Sequence, residues 1–165
     1  MTWNDIADFT NNQVVRVNIF QQLWQNLYHT KDPMHARVQL PGDNNDIWTY
    51  ATTNTWADID STNYAITFET GGNDFLAIAS VRHSHSAAGG FGYTTFMLDG
   101  VRYGNTFGLT YIQDIYTNEE TIQMAYIFQN IAAGNHTLKV QWYNENTGNL
   151  EAGKNQCLSL WVAEL

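Results

Sequence analysis

From Val17 onward the apolar residues fall at Val17, Phe20, Leu23, Trp24, Leu27 and Tyr28, a three-and-four spacing that lines one side of an α-helix. Asn18 with Gln21 three positions later has the form of a capping box, so the predicted helix starts there. It ends near His29, because Lys31-Asp32-Pro33 cannot carry a helix through the proline ring. About three turns of helix are too short to stand alone in water, so the stripe must dock on something. Its apolar members Phe20, Leu23, Trp24 and Leu27 are the candidate oligomer or attachment interface.

After Pro33 the period changes to two. Tyr64, Ile66 and Phe68 alternate with polar positions, as do Met124, Tyr126 and Phe128, then Leu138, Val140 and Trp142, then Leu158, Leu160 and Val162. This predicts antiparallel strands with one dry and one wet face. Further strands are expected at 36–40, 47–52, 74–83, 91–99 and 108–117. Turn signals separate them: Gly71-Gly72-Asn73-Asp74, Gly89-Gly90, Gly134-Asn135 and Asn146-Thr147-Gly148-Asn149. Asp99-Gly100 between Leu98 and Val101 predicts a two-residue hairpin of the type I′ kind. About nine strands with no second helix predict a mainly β protein, an antiparallel β-sandwich of jelly-roll type behind one short amphipathic helix. The expected division is 1–33, an anchor or oligomerisation segment, and 34–165, the sandwich.

Composition narrows the function classes. Charged residues are 14% of the 165, well below the ~25% of ordinary soluble domains, and 18 Asn with 18 Thr take their place. Seven basic against 16 acidic side chains give a net charge of −9, with no basic stripe to neutralise phosphates, so nucleic acid is not an expected partner. Apolar runs are too short to insert in a membrane. Met1-Thr2-Trp3-Asn4-Asp5 lacks the basic region and apolar core of a secretory signal, so the mature N-terminus is expected to be the one shown. Cys157, the single cysteine, excludes an internal disulfide and a cysteine-rich zinc site.

Candidate chemistry is sparse. His83 and His85 share one face of an extended strand and could approach one metal ion, but His29, His35 and His136 stand apart and supply no third ligand. They read instead as outward polar residues entering the Ser86–Gly90 loop, and no metal or cofactor is expected. Asp58 with Asp60, and Glu119 with Glu120, are the carboxylate pairs a glycosidase would need, yet both sit among turn residues and read as solvated loop acids. There is no Gly-x-Ser-x-Gly elbow and no phosphate-cradling loop. The aromatic content is more informative, with six Trp, nine Tyr and eight Phe. Alternation assigns Tyr64, Phe68, Tyr126, Phe128 and Trp142 to the core, and leaves Trp48, Tyr50, Trp56, Tyr111, Tyr116 and Tyr143 unassigned. Rings beside Asn, Asp and Gln suit either a sugar platform or a protein interface.

Trp3-x-Asp5-Ile6 followed by Phe9-Thr10-Asn11 and a helix resembles the N-terminus of many tailed-phage virion proteins. So does the body: Trp56-Ala57-Asp58-Ile59-Asp60 before the 65–70 strand, Leu98-Asp99-Gly100, and the segment from Ala133 to Trp142. The closing Leu160-Trp161-Val162-Ala163-Glu164-Leu165 is similar to the "F-W-V-x-E-L" endings found there, with Ala163 where relatives often carry Arg. The resemblance covers most of the chain and implies a jelly-roll virion protein, often trimeric, on a phage head or tail. The expectation is therefore a non-enzymatic structural protein of the virion, assembled in the host cytoplasm. It would act as a tail fibre or receptor-binding protein, or as a head-fibre or capsid-decoration protein. Expected partners are further copies of itself, other virion proteins and a host surface glycan or receptor. Contact with the host would run through His83, His85, Tyr111 and Tyr116, which lie beside turns. The alternatives are a stand-alone carbohydrate-binding module and a small glycan depolymerase.

Overall fold

The structure, a computed structural model, describes residues 35–40, 47–114, 120–153 and 158–165. The chain divides into two units, Met1–Pro33 and Met34–Leu165, and every described residue belongs to the second. The predicted helix, with Phe20, Leu23, Trp24 and Leu27, lies outside the described residues, as do Tyr116, Glu119 and Cys157.

Among the described residues the chain forms twelve strands and no helix. They are β1 (His35–Leu40), β2 (Ile47–Tyr50), β3 (Trp56–Asp58), β4 (Ala65–Thr70), β5 (Phe75–His85) and β6 (Gly90–Leu98). Then come β7 (Val101–Arg102), β8 (Thr110–Asp114), β9 (Glu120–Phe128), β10 (Gly134–Asn144), β11 (Leu150–Gly153) and β12 (Leu158–Glu164). The period-two segments all become strands. β7 is the return arm of the predicted Asp99-Gly100 hairpin, whereas β3 and β11 lie outside the expected strands; neither exceeds four residues, too short to show a clear alternation.

The pairings are antiparallel and nested in sequence. β1 pairs β12, β2 pairs β11, β3 and β4 pair β10, β5 pairs β9, and β6 pairs β7 and β8. The chain is thus one long ribbon, doubled back at the Asp99–Gly100 turn. Asp99 and Gly100 have φ of 49° and 83°, the two positive values a type I′ turn demands. Folding the ribbon across itself adds three more pairings, β12 and β11 with β5, and β10 with β6. The result is two six-stranded sheets. The first runs β1-β12-β5-β11-β2, with β9 on the other edge of β5. The second runs β3-β10-β6-β7, with β4 beside β10 and β8 beside β6.

The sheets face each other as a β-sandwich because each strand has one apolar parity. Phe75, Ala77, Ala79 and Val81 of β5 are fully buried, as are Leu138 and Val140 of β10. Phe75 stacks on Phe128 within the first sheet, centroids 4.6 Å apart, and meets Phe68 of the second at 5.0 Å. Tyr64, also fully buried, spans the core. Its single hydroxyl proton is shared between the carbonyls of Ser80 and Ser159, each at 3.0 Å, fastening the start of β4 to β5 and β12. Burial raises its pKa. Trp142 is 2% exposed, packed between the sheets as its shared parity with Leu138 and Val140 requires.

Candidate functional site

His83 and His85 are not outward. Both continue the inward parity of β5 and are 1% exposed. The shared face was read correctly, but it is the core face, because β5 runs on to His85 rather than ending before it. Each ring has found a polar partner, which is what permits its burial. His83 Nε2 lies 2.7 Å from Thr94 Oγ1, and burial pushes its pKa down to about 3, so the ring is neutral. His85 Nε2 lies 3.0 Å from Asn144 Oδ1. Asn144 is fully buried and donates to the carbonyls of Tyr50 and Gly148, at 3.2 and 2.9 Å. These two histidines organise the loops at one end of the sandwich from within and do not face a receptor. Among the described residues no group of His, Cys, Asp or Glu is arranged to hold a metal ion.

The carboxylates are likewise occupied. Asp58 is not a loop acid: it sits on β3 and takes Lys139 Nζ and Gln141 Nε2, both at 2.8 Å. Asp60 does close a turn, accepting the backbone N–H of Thr62 and Asn63 at 2.9 and 2.8 Å. The indole N–H of Trp48 adds a third bond at 3.1 Å. Partial burial works against this carboxylate, but the bonds outweigh it and hold its pKa below the usual value.

The outer face of the second sheet carries the feature that stands out. Tyr111 of β8 pairs with Tyr93 of β6, Tyr93 with Tyr143 of β10, and Tyr143 with Trp56 of β3. Four aromatic side chains thus stand in one register row across four strands, a length of about 14 Å at the usual strand spacing. Neighbouring ring centroids are 6.4, 5.9 and 5.3 Å apart, with planes tilted by 43°, 59° and 45°. Tyr111 is 64% exposed.

The loop between β7 and β8 completes this surface. It leaves β6 after Tyr103, whose N–H bonds Phe96 O, and rejoins at Leu109, whose N–H bonds Thr94 O, both at 3.0 Å. The intervening residues lie over outward-facing Thr95, which is fully buried beneath them. Gly104 and Gly108 make this path possible. Both have positive φ, and a Cβ at Gly108 would fall 2.8 Å from Trp56 Cη2. The Asn105–Gly108 turn presents Phe107, 52% exposed, against Tyr93 at 5.1 Å. An open recess of about 100 Å³ lies between this loop and β8, lined by Tyr93, Asn105, Phe107 and Tyr111 among others.

Polar groups fix the rings. Tyr93 donates to Glu145 at 2.6 Å; burial first, then Glu145, pushes the phenol up to about 12. Tyr143 donates to Asn54 at 3.1 Å, and the Arg102 guanidinium lies 4.7 Å above the Trp56 ring. Of the expected contact residues, only Tyr111 is both described and exposed. Tyr93 and Phe107 were missed. The parity signal for Tyr93 was available, since it lies an odd number of residues before Phe96 of the core.

No family model matches the chain, and no curated protein matches it by sequence. Among solved structures, the fold is similar to a chain of infectious bursal disease virus, Gt strain. The TM-score is 0.50 at 8% identity, over 81% of this chain and 38% of that one. Structures of T=1 particles derived from the same virus (TM-score 0.47, 12% identity, 81% and 36% covered) and of its VP2 subviral particle (0.46, 10%, 81% and 38%) also match. The chain spans less than two fifths of those it matches. The likeness to the Gt-strain chain is one of fold, a β-sandwich of two antiparallel sheets.

Proposed function

We propose that this chain is a non-enzymatic structural protein of a tailed-phage virion, displayed on the particle as a jelly roll and assembled as a homo-oligomer. The observation that carries the reading is the nested ribbon. Its pairings β1–β12, β4–β10, β5–β9 and β6–β8, rolled into two facing sheets, are what a jelly roll requires. The solved structure it resembles at a TM-score of 0.50 is that of a virus. The tailed-phage assignment rests on the sequence motifs at the two ends and around Trp56.

Self-assembly is supported by the outer face of the first sheet. Leu76, Ile78, Ala125, Ile127, Trp161 and Ala163 are neighbours there in register. Ile78 and Ile127 are 39% and 51% exposed. A contiguous apolar patch on a chain with only 14% charged residues favours burial against another copy. The stripe Phe20, Leu23, Trp24 and Leu27 is proposed as the second contact, holding a trimer or attaching it to another virion protein. The occupied carboxylates Asp58 and Asp60 favour a structural role over hydrolysis.

The test is twofold. Mass spectrometry of purified particles, with antibody labelling in electron micrographs, should find the chain on the head or tail, and its absence from particles refutes the reading. Light scattering of the purified protein should give a closed oligomer that Leu23→Asp with Trp24→Asp dissociates. A monomeric wild type would refute self-assembly.

A further inference from the structure

The two outer faces differ in chemistry, and the difference bears on what each one meets. The first sheet offers mostly aliphatic side chains with one indole, Trp161; the second offers a row of four aromatic rings set among polar groups. Next to the row of Tyr111, Tyr93, Tyr143 and Trp56 runs the row Thr95, Gln141 and Asp58. The formal charges named at the border balance: Asp58 is paired with Lys139 at 2.8 Å, and Arg102, over the Trp56 ring, and Glu145 contribute one charge of each sign. Glu145 takes the Tyr93 hydroxyl and keeps acceptor capacity for a further donor.

We propose that this face binds a neutral pyranose oligosaccharide, laid across the strands along Tyr111, Tyr93, Tyr143 and Trp56, with Phe107 closing one side. Three features favour that occupant over a protein. The rings are tilted by 36° to 59° against their neighbours, so they form a stair of separate faces instead of one flat apolar area. A twisting single sugar chain can place successive apolar C–H faces on such steps, whereas a flat crystalline surface cannot. Asn54, Asn105 and Glu145 border the rings, and amides and carboxylates are what sugar hydroxyls bond. The compensated border on a chain of net charge −9 gives no attraction for an anion, which selects an uncharged ligand. The rings are also pre-positioned: two hydroxyls are tied to loop residues, and Gly108 backs Trp56. Binding then orders little that is not already ordered. The inference holds for the isolated chain whether or not it belongs to a virion, so its failure and that of the virion reading are separable.

The test is titration of the purified full-length chain with maltohexaose, cellohexaose and xylohexaose, with oligogalacturonate as the acidic counterpart. Calorimetry measures affinity, and saturation-transfer NMR reports sugar protons near aromatic rings. The expected result is saturable binding of at least one neutral chain, changing less than about twofold between 0.1 and 1 M salt, where the Debye length falls from ~10 to ~3 Å. Tyr111→Ala and Phe107→Ala, each at a site more than half exposed, should fold normally and weaken binding about tenfold, ~1.4 kcal/mol apiece. Gln123→Ala, on the outer face of β9 in the other sheet, should leave it unchanged. The proposal is overturned if no neutral chain binds, if only oligogalacturonate binds, or if the double variant Tyr111→Ala with Phe107→Ala binds as wild type. It is equally overturned if light scattering shows that the double variant dissociates an oligomer, which would make this face a contact between copies.

Discussion

Replacing Trp142 measures both the packing between the sheets and the state of one buried N–H. The indole is 2% exposed, stacked on Tyr50 of the opposite sheet with centroids 5.7 Å apart and planes 14° from parallel, and 6.3 Å from His83. Burying ~150–250 Å² of ring at ~25 cal/mol per Å² stabilises by about 4–6 kcal/mol as an upper figure. Set against this, Trp142 Nε1 is buried with no hydrogen-bond partner among the described residues. Such a donor costs about 1–3 kcal/mol, and substitution removes that penalty along with the ring. Trp142→Ala should therefore cost about 3 kcal/mol, the low end of the ~3–5 usual for Trp to Ala in a core. Trp142→Phe keeps a ring on Tyr50 and loses the orphan N–H, so it should stay within about 1 kcal/mol of wild type. Urea unfolding followed by far-UV circular dichroism checks both; with m near 2 kcal/mol per M, the alanine midpoint should fall by about 1.5 M. A cost below ~1 kcal/mol for alanine would refute the inward placement of Trp142. If phenylalanine costs as much as alanine, the N–H is bonded in solution and the argument from the orphan donor is wrong.

The remaining predictions concern other joints of the fold. Tyr64→Phe removes the two bonds that tie β4 to β5 and β12, and should cost about 1–3 kcal/mol in the same assay. Gly90→Ala would set a Cβ 2.1 Å from His85 Nδ1, driving the ring off Asn144; overpacking of this kind costs about 1–3 kcal/mol. His136 bonds Asp99 through Nδ1 at 2.6 Å and the Ala132 carbonyl through Nε2 at 2.8 Å, and only the protonated ring donates to both. Its pKa is raised chiefly by Asp99. Asp99 itself, despite some burial, is lowered by His136 and the Thr137 N–H. The His136 contribution is complete below the ordinary value near 6.5 and fades as pH rises through the raised one; the Asp99 contribution fades as pH falls below about 3.8. The pair should thus stabilise most between about pH 4 and 6.5, by no more than ~1 kcal/mol given the exposure of Asp99. Proton NMR should show the His136 titration moving to lower pH in Asp99→Asn, and no movement would refute the coupling.

The strands most legible from alternation share a property: each buries one face and wets the other over six residues or more. β4, β9, β10 and β12 have this form, and so does the type I′ turn at Asp99-Gly100 that doubles the ribbon. β3 and β11 owe their existence to neighbours instead. β11 has four residues and is a strand because β5 and β2 offer it ladders on both sides. No local pattern encodes that. His83 and His85 were misplaced for a related reason. Their polarity suggested an exit from the sheet, whereas partners distant in sequence, Thr94 and Asn144, meet the Nε2 of each ring inside. A polar residue at an inward parity can be assigned only once its partner is known.

The aromatic row tests the limits of sequence reading from the other side. Parity alone puts Tyr93 and Tyr143 outside, because Phe96 and Trp142 are in the core. Parity does not say that they are neighbours. That depends on the register between β6 and β10, which the Asp99–Gly100 turn does not set directly, since the turn joins β6 to β7. What sets it is the buried set Phe96, Leu98, Leu138 and Val140: Val140 faces Phe96 and Leu138 faces Leu98 across the strands. A slip of β10 by one residue would turn Leu138 and Val140 to solvent. Core packing therefore aligns Tyr143 with Tyr93, and the same argument through β8 and β3 brings in Tyr111 and Trp56. The register of the outer row is set by the inner one, and the ring contacts and the bonds to Glu145 and Asn54 then fix how each ring stands within it.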